Sequence, residues 1–173
     1  MKLSVKRIAT GLALAMSVGI TDSTLAADGR IDVSQIVTKT DAESILGEKV
    51  KDPTPRNAEG EDGYYSKCNY YGVSRQKSLV IRVYQPSGGA MGPQRELELV
   101  AASATGPLKP VDGLGDKAEM FSGAGDRGAA SDVLMLYVAK DNAFITIGLG
   151  GINDESAALA KAKELANKIL AKL

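Results

Sequence analysis

The sequence predicts an α+β domain: an antiparallel sheet of about five strands packed on one face by a long C-terminal helix and two shorter helices. Three observations carry this. The segments run in the order αββαβββα, whereas parallel α/β units alternate helix and strand one to one. The strands come in hairpin-like pairs. The last twenty or so residues carry one apolar stripe at helical spacing.

The chain opens with Lys2, Lys6 and Arg7, then the apolar run Ile8 to Ile20, then "TDSTLA" with Thr24 and Ala26 at the two small positions that a signal peptidase reads. This is the grammar of an export signal, residues 1–26, cleaved before Ala27. Thirteen mildly apolar residues, broken by Thr10, Gly11, Ser17 and Gly19, fall short of the roughly 20 that span a bilayer. No stable membrane span is expected after cleavage. The remainder, 27–173, is expected to form one domain. Three of the 21 basic and one of the 21 acidic residues lie in the leader, so 18 face 20 and the remaining net charge is −2. With no basic tract, nucleic acid is not an expected partner.

In "IDVSQIVTKTDAESILGEKV" (31–50), Thr40 and Glu43 have the spacing of a capping box, and Gly47 sits where a helix ends in the left-handed region. The expected helix is Asp41 to Leu46, with a turn before it that carries Val33, Ile36 and Val37. "KDPTPRNAEGEDG" (51–63) reads as a wet loop, because Pro53 and Pro55 oppose regular pairing. "YYSKCNYY" (64–71) and "LVIRVYQ" (79–85) alternate as strands of a hairpin. Pro93 opens a helix through "QRELELVAASA", with Leu97, Val100, Ala101 and Ala104 on one stripe and Gly106 and Pro107 ending it. "PLKPVDGLGDKAEMF" is a constrained turn leading into a strand near Lys117 to Phe121. "DVLMLYVAK" (132–140) is apolar on both faces, which predicts a central strand covered at least in part on both sides. "KDNA" turns the chain back into "AFITIGLG". Asn153 or Asp154 caps the last helix, roughly 154–172, whose stripe is Leu159, Ala162, Leu165, Ala166, Ile169, Leu170 and Leu173. Lys161, Glu164, Lys168 and Lys172 are expected to face water.

The chain has no histidine, so it lacks the usual proton shuttle near neutral pH and the commonest metal ligand. Cys68 is the only cysteine, which rules out an intrachain disulfide and leaves a thiol nucleophile without its usual base. It reads as a buried free thiol. "GAGDRG" (123–128) spells the dinucleotide fingerprint, but a strand-like segment follows it where that motif needs a helix, so it reads as a hairpin loop. Asp112 and Asp116 flank Gly113 and Gly115 in a turn, too few acids for a calcium loop. Glu59, Glu61 and Asp62 lie in the wet loop, where nothing separates their pKa values. No cofactor or metal is expected.

The tyrosines remain. Tyr64, Ser66, Cys68 and Tyr70 share one face of their strand, and Tyr65, Lys67, Asn69 and Tyr71 the other. If Cys68 joins Leu79, Ile81 and Val83 in the core, then Tyr65, Tyr71 and Tyr84 point outward with Lys67 and Arg82. These five are the candidate binding residues: tyrosine offers an apolar body with a polar tip. Cross-strand aromatic pairing alone also accounts for them.

The phrases "TKTDAESILG", "CNYYG", "PVDGLGDKA", "LYVAKDNAFITIGL" and "ALAKAKELANKILAKL", in this order, resemble the secreted lipoprotein-type envelope domain of unknown function that is abundant in actinobacteria. The likeness spans about 31–173. It implies an exported α+β domain and brings no catalytic residues. Such domains often place a cysteine before the first helix, in a phrase like D-P-C-x-L-L. Here "DVSQIV" has Ser34 at that place, and Cys68 is left without the partner that the resemblance implies. The leader also lacks a lipid-attachment cysteine. The expected protein is therefore an exported, non-catalytic binding module, periplasmic or extracellular, whose partner is an envelope protein or a small ligand. Two alternatives stand beside it: an enzyme of unfamiliar type using Cys68 or the Asp112/Asp116 turn, and a structural or inhibitory module acting through an exposed sheet face.

Overall fold

The computed structural model describes residues 29–104, 106–124 and 132–173. The expected signal peptide and most of the "GAGDRG" loop lie outside the described residues. In chain order the elements are α1 (Val33–Ile36), α2 (Lys39–Leu46), β1 (Thr54–Glu59), β2 (Gly63–Tyr71), β3 (Ser78–Pro86), α3 (Pro93–Ser103), β4 (Lys109–Pro110), β5 (Lys117–Ala124), β6 (Asp132–Lys140), β7 (Ala143–Gly150) and α4 (Glu155–Leu170).

The strands form one antiparallel sheet in the order β1-β2-β3-β7-β6-β5-β4. The α+β class and the antiparallel sheet are as expected, but the described residues form seven strands rather than about five, and four helices. Two meanders, β1–β3 and β4–β7, join edge to edge where β3 pairs with β7. The two additional strands are the sheet's edges, and each contains a proline: Pro55 in β1 and Pro110 in β4. Proline opposes pairing on both sides of a strand, but an edge strand is paired on one side only. Every residue of β1 is exposed, so no apolar alternation announces it.

The main core lies on one face of the sheet. Cys68, Tyr70, Leu79, Ile81, Val83, Leu134, Leu136, Val138, Ile145, Ile147 and Leu149 are buried there with residues of α1, α2 and α4. From α4 come Ala158, Ala162, Leu165, Ala166 and Ile169, close to the expected stripe, although Leu173 is exposed. Asp154 caps α4 by accepting from the Ala157 N–H. The cap of α2 lies two residues earlier than the sequence suggested. Thr38 and Asp41 form the capping box, because threonine followed three residues later by an acid occurs there as well, and the Asp41 carboxylate accepts from the Thr38 N–H. Gly47 closes α2 in the left-handed region as expected. The chain before α1 is pinned by Gln85, whose Oε1 accepts from Ile31 N at 2.6 Å and whose Nε2 donates to Gly29 O at 2.9 Å. Tyr70 donates its hydroxyl to the Val37 carbonyl, so the strand's core-facing tyrosine clamps the α1–α2 junction.

Contrary to expectation, the helices do not all pack on one face of the sheet. α3 packs on the opposite face, where Leu97 and Val100 meet Tyr84, Ala139, Phe144 and Tyr137. It carries the chain from the end of the first meander to the far edge of the second, and the face left free by α4 is the route it takes. The double-sided apolar pattern of β6 follows from this: Leu134, Leu136 and Val138 serve the main core, while Tyr137 and Ala139 meet α3.

Candidate binding site

α3 covers only part of its face, and the uncovered remainder forms a groove of about 640 Å³ between the helix and β3, β7, β6 and β5. Its side chains fall in cross-strand rows. The first row is Tyr65, Tyr84, Phe144 and Ala139; the second is Lys67, Arg82, Thr146 and Tyr137; the third is Asn69, Val80, Gly148, Met135 and Phe121. Directly opposed residues of an antiparallel pair point to the same side, so each row is a strip of one surface. On β7, the middle strand, the groove-facing residues shrink from Phe144 through Thr146 to Gly148 and Gly150. A side chain on Gly148 would place its Cβ 2.9 Å from the Met135 sulfur, so the glycine leaves room for Met135 to lie across β7.

Five aromatic rings, Tyr65, Tyr84, Phe121, Tyr137 and Phe144, line the groove with Met135, Val133 and Val100. Tyr65 stacks on Tyr84 with centroids 4.6 Å apart and planes 19° apart. Both hydroxyls end on Asp62: Tyr65 donates to its carboxylate at 2.6 Å and Tyr84 to its backbone oxygen at 2.9 Å. The bond to Asp62, helped by burial, holds the Tyr65 phenol well above its ordinary range. Burial and then the Asp62 charge raise Tyr84 as well. Tyr137 stacks parallel to Phe144 at 6.3 Å.

The structure brings together three of the five candidate residues named from sequence: Tyr65, Tyr84 and Arg82 all line the groove. Lys67 stands beside Arg82, one strand further out. Tyr71 shares the face but lies six residues along β2 from Tyr65, outside the groove and 44% exposed. Tyr84 is not outward in the sense expected. It is only 7% exposed, because Tyr65 and α3 cover it. Sequence reading missed Phe144, Tyr137, Met135, Thr146 and Phe121. The signal that could have found them is the double-sided apolar pattern of β6, which demands a second packed face.

The other candidates lie elsewhere. Cys68 is fully buried in the main core, and burial pushes its thiol up. Asp116 accepts from Lys140 Nζ at 2.9 Å and from the Asp141 N–H at 3.0 Å, closing its turn as a structural carboxylate. Lys140 and the Asp141 amide hold it below the ordinary carboxylate range. Gly115 in that turn has φ +57°, and a Cβ there would lie 2.6 Å from the Ala139 oxygen. The "GAGDRG" segment begins inside β5 and is followed by β6, so strands flank it on both sides. Among the described residues no group of three His, Cys, Asp or Glu side chains is placed to hold a metal ion. A smaller cleft of about 200 Å³ lies at the start of α4. Its Glu155 already accepts from Lys109 and Ser122.

Neither protein-family models nor curated proteins match this chain.

Proposed function

We propose that this protein is an exported, non-catalytic binding module of a bacterial cell envelope, akin to the secreted lipoprotein-type domains that its phrases resemble, and that it binds through the α3 groove. The groove carries the reading. It is concave, mostly apolar and aromatic, has few polar groups, and falls within the roughly 300–1,000 Å³ usual for ligand sites. The candidates for chemistry are engaged elsewhere: the Cys68 thiol is buried, and Asp116 is held by Lys140 and a backbone amide. The export grammar of residues 1–26 supports an envelope location. Among the described residues no helix is long and apolar enough to cross a membrane.

The test is to pass envelope extract over the immobilised full chain and to identify what it retains, protein or small molecule. Tyr65→Ala is expected to release that material, and Tyr71→Ala is not. Retention unaffected by Tyr65→Ala removes this surface from the reading. Turnover of a substrate that survives Cys68→Ala and maps to another cleft would overturn it altogether.

A further inference from the structure

Arg56, Lys67 and Arg82 are direct cross-strand neighbours on β1, β2 and β3. Like charges facing one another across a sheet are destabilising. Among the described residues none of the three makes a salt bridge, although nine other ion pairs form. Burial, then the Arg82 and Arg56 charges, hold the Lys67 ammonium below the ordinary lysine range, so the repulsion is felt. The row does not end in solvent. It continues inward to Thr146 and Tyr137, and Arg82 itself lines the groove with both. Neither the Thr146 nor the Tyr137 hydroxyl has a hydrogen-bond partner among the described residues. Two residues along β2 from Lys67, the Asn69 side-chain oxygen is buried and also without a partner. Among the described residues one carboxylate lines the groove, Glu96 of α3. At the far end of the row Glu119 is taken by Lys117 at 2.9 Å.

Cations thus lie on the β1–β3 side, and apolar walls of Met135, Val133 and Phe121 on the β6–β5 side, with Val100 of α3 beside them. From β3 to β5 is three strand steps, about 14 Å at roughly 4.8 Å each. The geometry points to a single-chain amphiphile with a phosphate head as the occupant. The head lies on Arg56, Lys67 and Arg82, and the alkyl chain crosses the sheet along the groove beside α3. Arginine forks match phosphate oxygens bidentately, and a dianion answers a row of cations better than a single carboxylate does. The apolar chain covers Tyr137, Met135 and Val133.

This inference rests on the binding reading above, and its test separates the two. Dodecyl phosphate, dodecyl maltoside and inorganic phosphate are titrated calorimetrically into the full chain, below the micelle concentrations. Dodecyl phosphate is expected to bind at least about tenfold more tightly than either of the others. Arg82→Gln combined with Lys67→Gln is expected to lose about tenfold or more in dodecyl phosphate affinity and to leave the maltoside unchanged. The same double variant, free of ligand, is expected to melt no lower than the parent, because it removes a repulsion. Ser103→Phe, at an exposed position on the groove's lip, is expected to weaken both amphiphiles. Equal affinity for the phosphate and the maltoside overturns the assignment, as does a double variant that keeps parental affinity. If dodecyl phosphate fails while envelope extract still yields a molecule released by Tyr65→Ala, the head-group assignment falls and the binding reading stands. If neither binds, both fall.

Discussion

One sheet shows two unlike faces. On the first, α1, α2 and α4 bury a largely apolar surface and are laced to one another and to the chain around the sheet by polar contacts. Lys161 Nζ donates to Ile45 O at 2.6 Å, Lys168 pairs with Asp41 at 2.7 Å, and Lys77 Nζ donates to Leu46 O at 2.8 Å. On the second face α3 stands alone. Its side-chain hydrogen bonds and ion pair among the described residues are internal: Arg95 to Glu98, and Ser103 to the Leu99 and Val100 carbonyls. The fully buried Leu97 and the half-buried Val100 hold it to the strands, and Pro93 at its start is its other buried residue. The lesson is that this sheet is stabilised from one side and kept partly open on the other. An open apolar surface on a small domain calls for an explanation beyond stability.

The strongest way to break that contrast is a pair of truncations. Ile147→Ala empties a fully buried site on the helix-laced face and is expected to cost about 2–5 kcal/mol in chemical denaturation. Leu97→Ala is expected to cost about 2 kcal/mol, at the lower end of that range, because α3 can settle into the groove and collapse part of the cavity. Equal costs would mean that both faces are load-sharing cores, and the contrast would fail.

A subtler pair lies within β2. Tyr70→Phe removes the hydroxyl that donates to the buried Val37 carbonyl, which is left without that partner, at an expected cost of about 1–3 kcal/mol. Tyr65→Phe also removes a tyrosine hydroxyl bond, but to Asp62 at a 40% exposed ring, and is expected to change stability by no more than about 0.5 kcal/mol. Both are read as shifts in the denaturation midpoint. A large effect at Tyr65 would make the aromatic face structural, not merely available.

These asymmetries also explain what the sequence reveals and what it hides. The first face is legible, because Leu79, Ile81 and Val83 alternate cleanly and the α4 stripe has helical period. The placement of Cys68 follows from the same alternation. The edge strands are hidden because Thr54–Glu59 has no buried residue to alternate and carries the very proline that marks a loop. The Thr38 cap is hidden because Thr40 and Glu43 offer the same spacing, and only tertiary contacts decide between them: Asp41 faces Lys168 of α4. The groove is half legible. Tyr65, Tyr84, Lys67 and Arg82 come from one hairpin, whose register is local. Phe144, Tyr137, Met135 and Phe121 join them only through the β3–β7 pairing and the path of α3, which no local pattern encodes.

The smallest effect concerns how the first face is laced. Burial alone would push the Asp41 carboxyl up, but hydrogen bonds from Lys168 and Thr38 outweigh it and hold the group below the ordinary carboxylate range. A carboxyl with a depressed folded pKa binds fewer protons than its unfolded counterpart through the acid range. Its contribution is therefore complete above the unfolded value, roughly pH 4, and is lost as pH falls through the lower folded value. Asp41→Asn keeps an oxygen that can accept from Thr38 but gives up the charge that pairs with Lys168. It is expected to be less stable than the parent at pH 7 by no more than about 1 kcal/mol, the scale of an exposed ion pair. Glu43, Asp52, Asp116 and Glu155 are also held low, each chiefly by a lysine, so the parent weakens in acid for several reasons. Only the difference between parent and variant isolates Asp41. Melting temperatures measured from pH 7 to pH 2.5 are expected to converge at the acid end. If the gap stays constant down to pH 2.5, the charge on Asp41 contributes nothing, and the α2–α4 link is a matter of cap geometry alone.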